Sequence, residues 1–240
     1  MAWKTAGRHQ VIYGPLIGML LTACGSNPLE HSPPRETIRR SEVIQRAEVY
    51  AQHRWRPTSA NVRHGRDAQA IQVDTPDVGY AKCGWWRPGR WNQGMPYQWG
   101  GFDTPTEFDQ KVRSGLAAGD VYTAAKRAGL DAAVSREAAG IDCSGLISRC
   151  WQLERSYSTR ELPSLCVPLS SYDELRPGDI LNTHNAHVLL FADWGNTAGT
   201  QMWVYEAGSY PTWKVLRRQV DCSALREKGY LPFRYRHILE

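Results

Sequence analysis

The chain has 240 residues, 42% apolar and 22% charged, ordinary values for a globular protein long enough to bury a core without help from disulfides or a metal. Its formal charge of +5 falls to about +3, 27 basic residues against 24 acidic, once Lys4 and Arg8 are assigned to a leader. That balance suits weak attraction to an anionic polymer or membrane surface, but it gives no signature of nucleic-acid binding, and no nucleic-acid motif is present.

The first two dozen residues read as an export leader. Met1 to Gln10 is short and basic, Val11 to Leu21 is apolar, and Leu21-Thr22-Ala23-Cys24 follows. The apolar run falls short of the roughly 20 residues that span a bilayer as a helix. The order of small residues before a cysteine resembles the bacterial lipoprotein processing box. That resemblance implies removal of residues 1–23, a lipid on Cys24, and, with Gly25 next, an outer-membrane address facing the periplasm if the cell has two membranes. Residues 24–35, with Pro28, Pro33 and Pro34, predict a tether, and residues 36–240 a single domain.

Glu36 to Arg54 predicts an amphipathic helix closed by Pro57, with Ile38, Val43, Ile44, Ala47, Tyr50 and Ala51 on its apolar side. Ala70 to Val73 reads as a strand. A tryptophan-dense stretch follows, with Trp85, Trp86, Trp91 and Trp99. It fits either an apolar core or a stacking platform for sugar rings. Thr104 to Ala118 and Val121 to Ala128 predict helices.

A further helix is expected to begin at Cys143, with Asp142 as N-cap, and to run to about Leu153. Ile180 to Asn182 predicts a strand after a Pro-Gly turn. His187 to Ala192 and Gln201 to Glu206 predict an antiparallel hairpin, and Thr212 to Arg217 with Phe233 to Ile238 a further strand pair. Helices lead and strands follow, which is an α+β order.

Setting Cys24 aside, five cysteines remain: Cys83, Cys143, Cys150, Cys166 and Cys222. An odd number in an oxidising compartment leaves at least one free thiol. The other four either form two disulfides or stay reduced and buried.

Cys143 is the candidate nucleophile. A cysteine in the first turn of a helix meets unpaired backbone N–H groups and the positive end of the helix dipole, both of which favour thiolate. His187 opens an apolar strand and could act as its base. His184 falls on the opposite face, so the two histidines predict no metal site. With the hairpin turn centred on Asn196 and Thr197, Glu206 falls directly opposite His187, close enough to orient the imidazole. Asp193, the rival orienter, lies six residues along the same strand, on the order of 20 Å away. In the expected reaction His187 takes the thiol proton, Cys143 attacks a carbonyl, and a thioester forms and is hydrolysed. The Cys143 N–H is placed to donate to the oxyanion.

These residues, taken in order, resemble the NlpC-type family of papain-like cell-wall cysteine peptidases. The match rests on Pro96-Tyr97-Gln98-Trp99-Gly100-Gly101, Asp142-Cys143-Ser144-Gly145-Leu146, Leu175-Arg176-Pro177-Gly178-Asp179-Ile180, His187-Val188 and the strand ending at Glu206. The resemblance implies a helical half carrying the cysteine, packed on a small antiparallel sheet carrying the histidine. It also implies hydrolysis of amide bonds in peptidoglycan stem peptides, often between D-glutamate and a diamino acid, without a cofactor. Tyr97 would line the site, and Asp142 and Ser144 would help hold the substrate, while Trp99 reads as core packing.

The partners implied are stem peptides and, through the lipid on Cys24, a membrane. Two insertions depart from the family pattern, about 56–93 and 102–141, and Glu206 stands where the family often has His or Asn. Two other functions stay open: an amidase or peptidase with a non-wall substrate, and a non-catalytic lipoprotein that binds wall fragments.

Overall fold

A computed structural model describes residues 37–240. The expected leader, Cys24 and the tether lie outside the described residues. No helix among those described is long and apolar enough to cross a membrane.

The first helix, α1 (Arg40–Gln52), buries Val43, Ala47, Tyr50 and Ala51, a spacing that puts all four on one side. The Glu42 carboxylate accepts the Arg39 N–H at its start. The helix is shorter than expected because both flanks are drawn into strand pairs. Ile38–Arg39 lies parallel to Ile238–Leu239, and Arg54–Trp55 lies antiparallel to Asn92–Gln93.

The main sheet is antiparallel with six strands: β1 (Cys166–Pro168), β2 (Ile180–Thr183), β3 (His187–Trp194), β4 (Gln201–Ala207), β5 (Val215–Asp221) and β6 (Leu231–Tyr235), in the order β5-β4-β3-β2-β6-β1. The last two expected strands therefore exist with shifted bounds, but they do not pair with each other. β5 extends the β3–β4 hairpin, and β6 fills the place between β2 and β1.

Alternation along the strands gives the sheet two apolar faces. Val188, Leu190, Tyr205 and Ala207 pack with α1 and with the helix α4 (Cys143–Cys150). Leu189, Phe191, Met202 and Val204 form a second core with Tyr172, Leu175 and Leu225. The chain is thus mixed α and β, compatible with an α+β class.

The Pro177-Gly178-Asp179 turn fastens α1 to this sheet. Gly178 sits at φ +92°, where an added Cβ would lie 2.8 Å from Ile238. The Asp179 side chain is fully buried and pairs with Arg40 at 2.9 Å and Arg234 at 2.7 Å. Its second oxygen also takes the Arg176 N–H.

Residues 56–93 and 102–141 build a flank whose Trp86, Phe108 and Val121 join the main core. Helix α2 (Pro105–Arg113) starts on a reciprocal cap between Thr104 and Glu107 with proline in its first turn. It ends earlier than expected: Gly115 turns to φ +89°, and Ala117–Ala118 joins Ala138–Ala139 as a strand pair. Alanine's helix preference yields to tertiary pairing here. Helix α3 (Ala124–Gly129) is capped by Thr123.

The two segments are bound to each other. Ser135 donates to Asp67 and Lys126 to the Gln72 carbonyl, each at 2.6 Å, and Asn61 donates to the Val112 and Leu116 carbonyls. The expected strand at Ala70–Val73 is Gln72–Asp74, paired with His64–Arg66.

The tryptophans divide between core and surface. Trp55 meets Trp86 and Phe108 edge-on at 5.6 and 5.1 Å within the core, whereas Trp91 is 62% exposed beneath the Arg54 guanidinium.

Candidate active site

Helix α4 begins at Cys143 because Asp142 caps it. The Asp142 carboxylate accepts the Gly145 N–H at 2.6 Å and the Ser144 hydroxyl at 3.0 Å. The chain just before the cap is clamped to the Pro96–Gly101 segment. Ile141 N–H donates to the Pro96 carbonyl, Gln98 N–H to the Ile141 carbonyl, and Asp142 N–H to the Gly101 carbonyl. Gly145 sits so close to that segment that an added Cβ would lie 2.3 Å from the Gly101 oxygen. As the first residue of the helix, Cys143 keeps a backbone N–H with no partner inside the helix.

His187 opens β3 directly after a tight turn. Thr183 closes that turn by accepting the His187 N–H at 3.1 Å and donating to the His187 carbonyl at 3.0 Å. The imidazole Nε2 lies 2.7 Å from Glu206 Oε2, and the ring stands near enough to Cys143 for the sulfur to influence its ionisation. With Nε2 committed to the carboxylate, Nδ1 is the nitrogen left for the sulfur.

The β3–β4 register differs from the expected one. Leu190 pairs with Tyr205 and Phe191 with Val204, followed by a bulge before Asp193 pairs with Trp203. Continued toward His187, this ladder sets Glu206 opposite Leu189 rather than opposite His187. The difference is two residues, which preserves the face. Glutamate is long enough to reach a diagonal neighbour. The rival Asp193 is not brought in; its carboxylate accepts the Trp194 N–H at the far end of β3.

Sequence reasoning missed Arg218. From β5, its Nε donates to the other oxygen of Glu206, so one buried carboxylate bridges a guanidinium and an imidazole. Burial opposes ionisation of Glu206, but bonds and charge from His187 and Arg218 prevail and hold its carboxyl at about 2. Burial likewise disfavours the imidazolium. Interaction with Cys143, then with Glu206, outweighs it and raises His187 to about 10. Tyr230 stands beside this group, its hydroxyl pushed up to about 12 by burial, then by Glu206 and Cys143.

Cys143 and His187 face a cavity of about 310 Å³. Tyr97 lines it, buried and edge-on to Trp213 at 5.9 Å. Burial, followed by the nearby Cys143 and Asp142, keeps its phenol well above the usual range, so it remains a donor. Asp142 and Ser144 also line the cavity, but the hydrogen bonds described for them are spent on the helix cap.

Trp99 is only partly buried. It packs against the main core and also lies in the cavity wall beside Tyr122 at 5.6 Å. Much of that wall comes from residues 122–134, within the second insertion, which was expected near the cleft.

The five cysteines among the described residues are free, Cys83 exposed and the others buried. Burial pushes the Cys150 and Cys166 thiols up to about 12, which leaves them inert. Of the two arrangements open from the sequence, the reduced one is present, except that Cys83 is exposed rather than buried. His184 is exposed, and no cluster among the described residues could hold a metal ion. No protein-family model matches the chain, and no curated protein is significantly similar to it.

Proposed function

We propose that this protein is a cysteine hydrolase cutting amide bonds in peptidoglycan stem peptides, with the helix-on-sheet arrangement of papain-like NlpC-type enzymes. It would be exported and anchored through a lipid on Cys24. The observation that carries the reading is Cys143 beside His187 at the edge of one cavity, with the imidazole hydrogen-bonded behind to buried Glu206. A wall-binding scaffold has no need of a histidine bridged between a helix-start cysteine and a buried carboxylate.

In this reading His187 Nδ1 takes the Cys143 proton and the sulfur attacks the amide carbon. The carbonyl oxygen collects charge in front of the Cys143 N–H and within reach of a protonated Tyr97. The imidazolium returns its proton to the leaving nitrogen, the C–N bond breaks, and an amine departs from a thioester. Water then gives a proton to His187 and adds to the thioester carbon. The carboxylic acid leaves, and the sulfur recovers its proton. Glu206 keeps Nε2–H pointed at itself throughout and stabilises the cationic ring.

The test is a digest of purified cell wall with the wild type and with Cys143→Ala, the new termini being identified by mass. New amine and carboxyl termini that require Cys143 support the reading. Equal products from both proteins reject it.

A further inference from the structure

The cavity beside Cys143 is lined by two arginines that the reaction above does not use. Arg127 arrives on α3 and Arg160 on the turn that follows α4. Neither forms an ion pair with a described residue, in contrast to Arg40, Arg218 and Arg234.

Both are carried on fastened backbone. Next to Arg127, Lys126 is almost wholly buried and bonds Asp120 and the Gln72 carbonyl, each at 2.6 Å. Next to Arg160, the Thr159 carbonyl accepts the Asn182 amide at 3.0 Å, and Glu161 accepts the Ser158 N–H at 2.8 Å. The acids that could neutralise the two heads are otherwise placed. Glu161 pairs with Arg155, the Asp142 carboxylate caps α4, and Asp131, the remaining acid of that wall, pairs with neither arginine. Uncommitted guanidinium forks on fixed backbone at the rim of a partly enclosed site match a carboxylate, which accepts two parallel N–H bonds from such a fork.

We propose that the cavity selects amide substrates bearing a free carboxylate close to the bond that is cut, and that Arg127 and Arg160 bind this carboxylate. The assignment rests on the hydrolase reading above and adds to it a chemical requirement on the substrate. A neutral substrate would leave both arginines without a partner.

The test uses two synthetic stem peptides containing a D-glutamate–diamino acid linkage, one with free carboxylates and one with carboxamides in their place. The quantity compared is the ratio of kcat/KM for the two peptides within one preparation, which does not depend on the folded fraction. The wild type is expected to favour the free acid by about tenfold or more, the usual scale for a hydrogen bond to a charged group. In the double variant Arg127→Gln, Arg160→Gln the ratio should fall towards one. A ratio near one in the wild type, or an undiminished ratio in the double variant, overturns the assignment. If neither peptide is cut by wild-type protein whose Cys143 iodoacetamide still alkylates, the stem-peptide reading itself fails and the assignment goes with it.

Discussion

Glu206 touches His187 with one oxygen, at 2.7 Å, and Arg218 with the other. The carboxylate is 5% exposed, so it has little water to turn to if either partner is lost. The ionisation of the imidazole depends on this bridge, and on the proposed function so would the pH range of activity.

Replacing Glu206 with Gln removes the charge while preserving most of the shape. Activity should fall by about tenfold to a thousandfold, against complete loss in Cys143→Ala and His187→Ala. Because Glu206 helps raise His187 to about 10, the alkaline limb of the kcat profile should also move to lower pH. A pH–rate series on the variant checks both outcomes, and an unmoved limb would contradict the role given to Glu206.

Arg218→Met leaves the carboxylate in place but deprives it of its second partner. The carboxyl, held at about 2 in the wild type, should rise, so that the acid limb of the profile moves to higher pH. Glu206 also links folding to pH. Its folded value lies below the ordinary carboxylate range, so its contribution to stability is present above about 4.5 and is lost as the pH falls towards 2. Chemical denaturation between those values should show a shallower loss in Glu206→Gln than in the wild type.

Asp179 tests the seam between α1 and the sheet. Asp179→Ala leaves Arg40, whose side chain is 10% exposed, without its buried partner, a loss of about 3–5 kcal/mol by urea unfolding. Arg176→Ala, whose side chain is 56% exposed and whose partner Glu240 is largely in solvent, should change stability by less than about 0.5 kcal/mol.

Gly145→Ala places a methyl group against the Gly101 carbonyl. The start of α4 must shift, at a cost of about 1–3 kcal/mol, and Cys143 shifts with it. Activity should drop more than stability alone explains, measured as rate per folded molecule.

Much of the reacting group could be read directly from the residues. Asp142 before an apolar helical repeat marks a helix start, and His187 at the head of an apolar run marks a strand edge. Glu206 was legible for a sturdier reason than the register assumed for it: any even slip leaves it on the histidine's face. Arg218 was not legible, because its contact requires knowing that β5 lies beside β4, and nothing local in Val215–Asp221 says so. The second insertion was expected near the cleft, but which of its residues form the wall escaped for the same reason. Trp99, Tyr122 and Leu130 meet through Trp99 N–H to the Asp120 carbonyl and Trp99 Nε1 to the Leu130 carbonyl, contacts between stretches whose own periodicity points elsewhere.

The ties between residues 56–93 and 102–141 have a consequence for how a substrate enters. The flank carrying Tyr122 and Arg127 is stitched by Asp67–Ser135, Gln72–Lys126 and Asn61 with α2, so its two segments move only as one block. On the proposed function, a substrate chain would meet that wall as one preformed surface rather than as two separately adjusting loops.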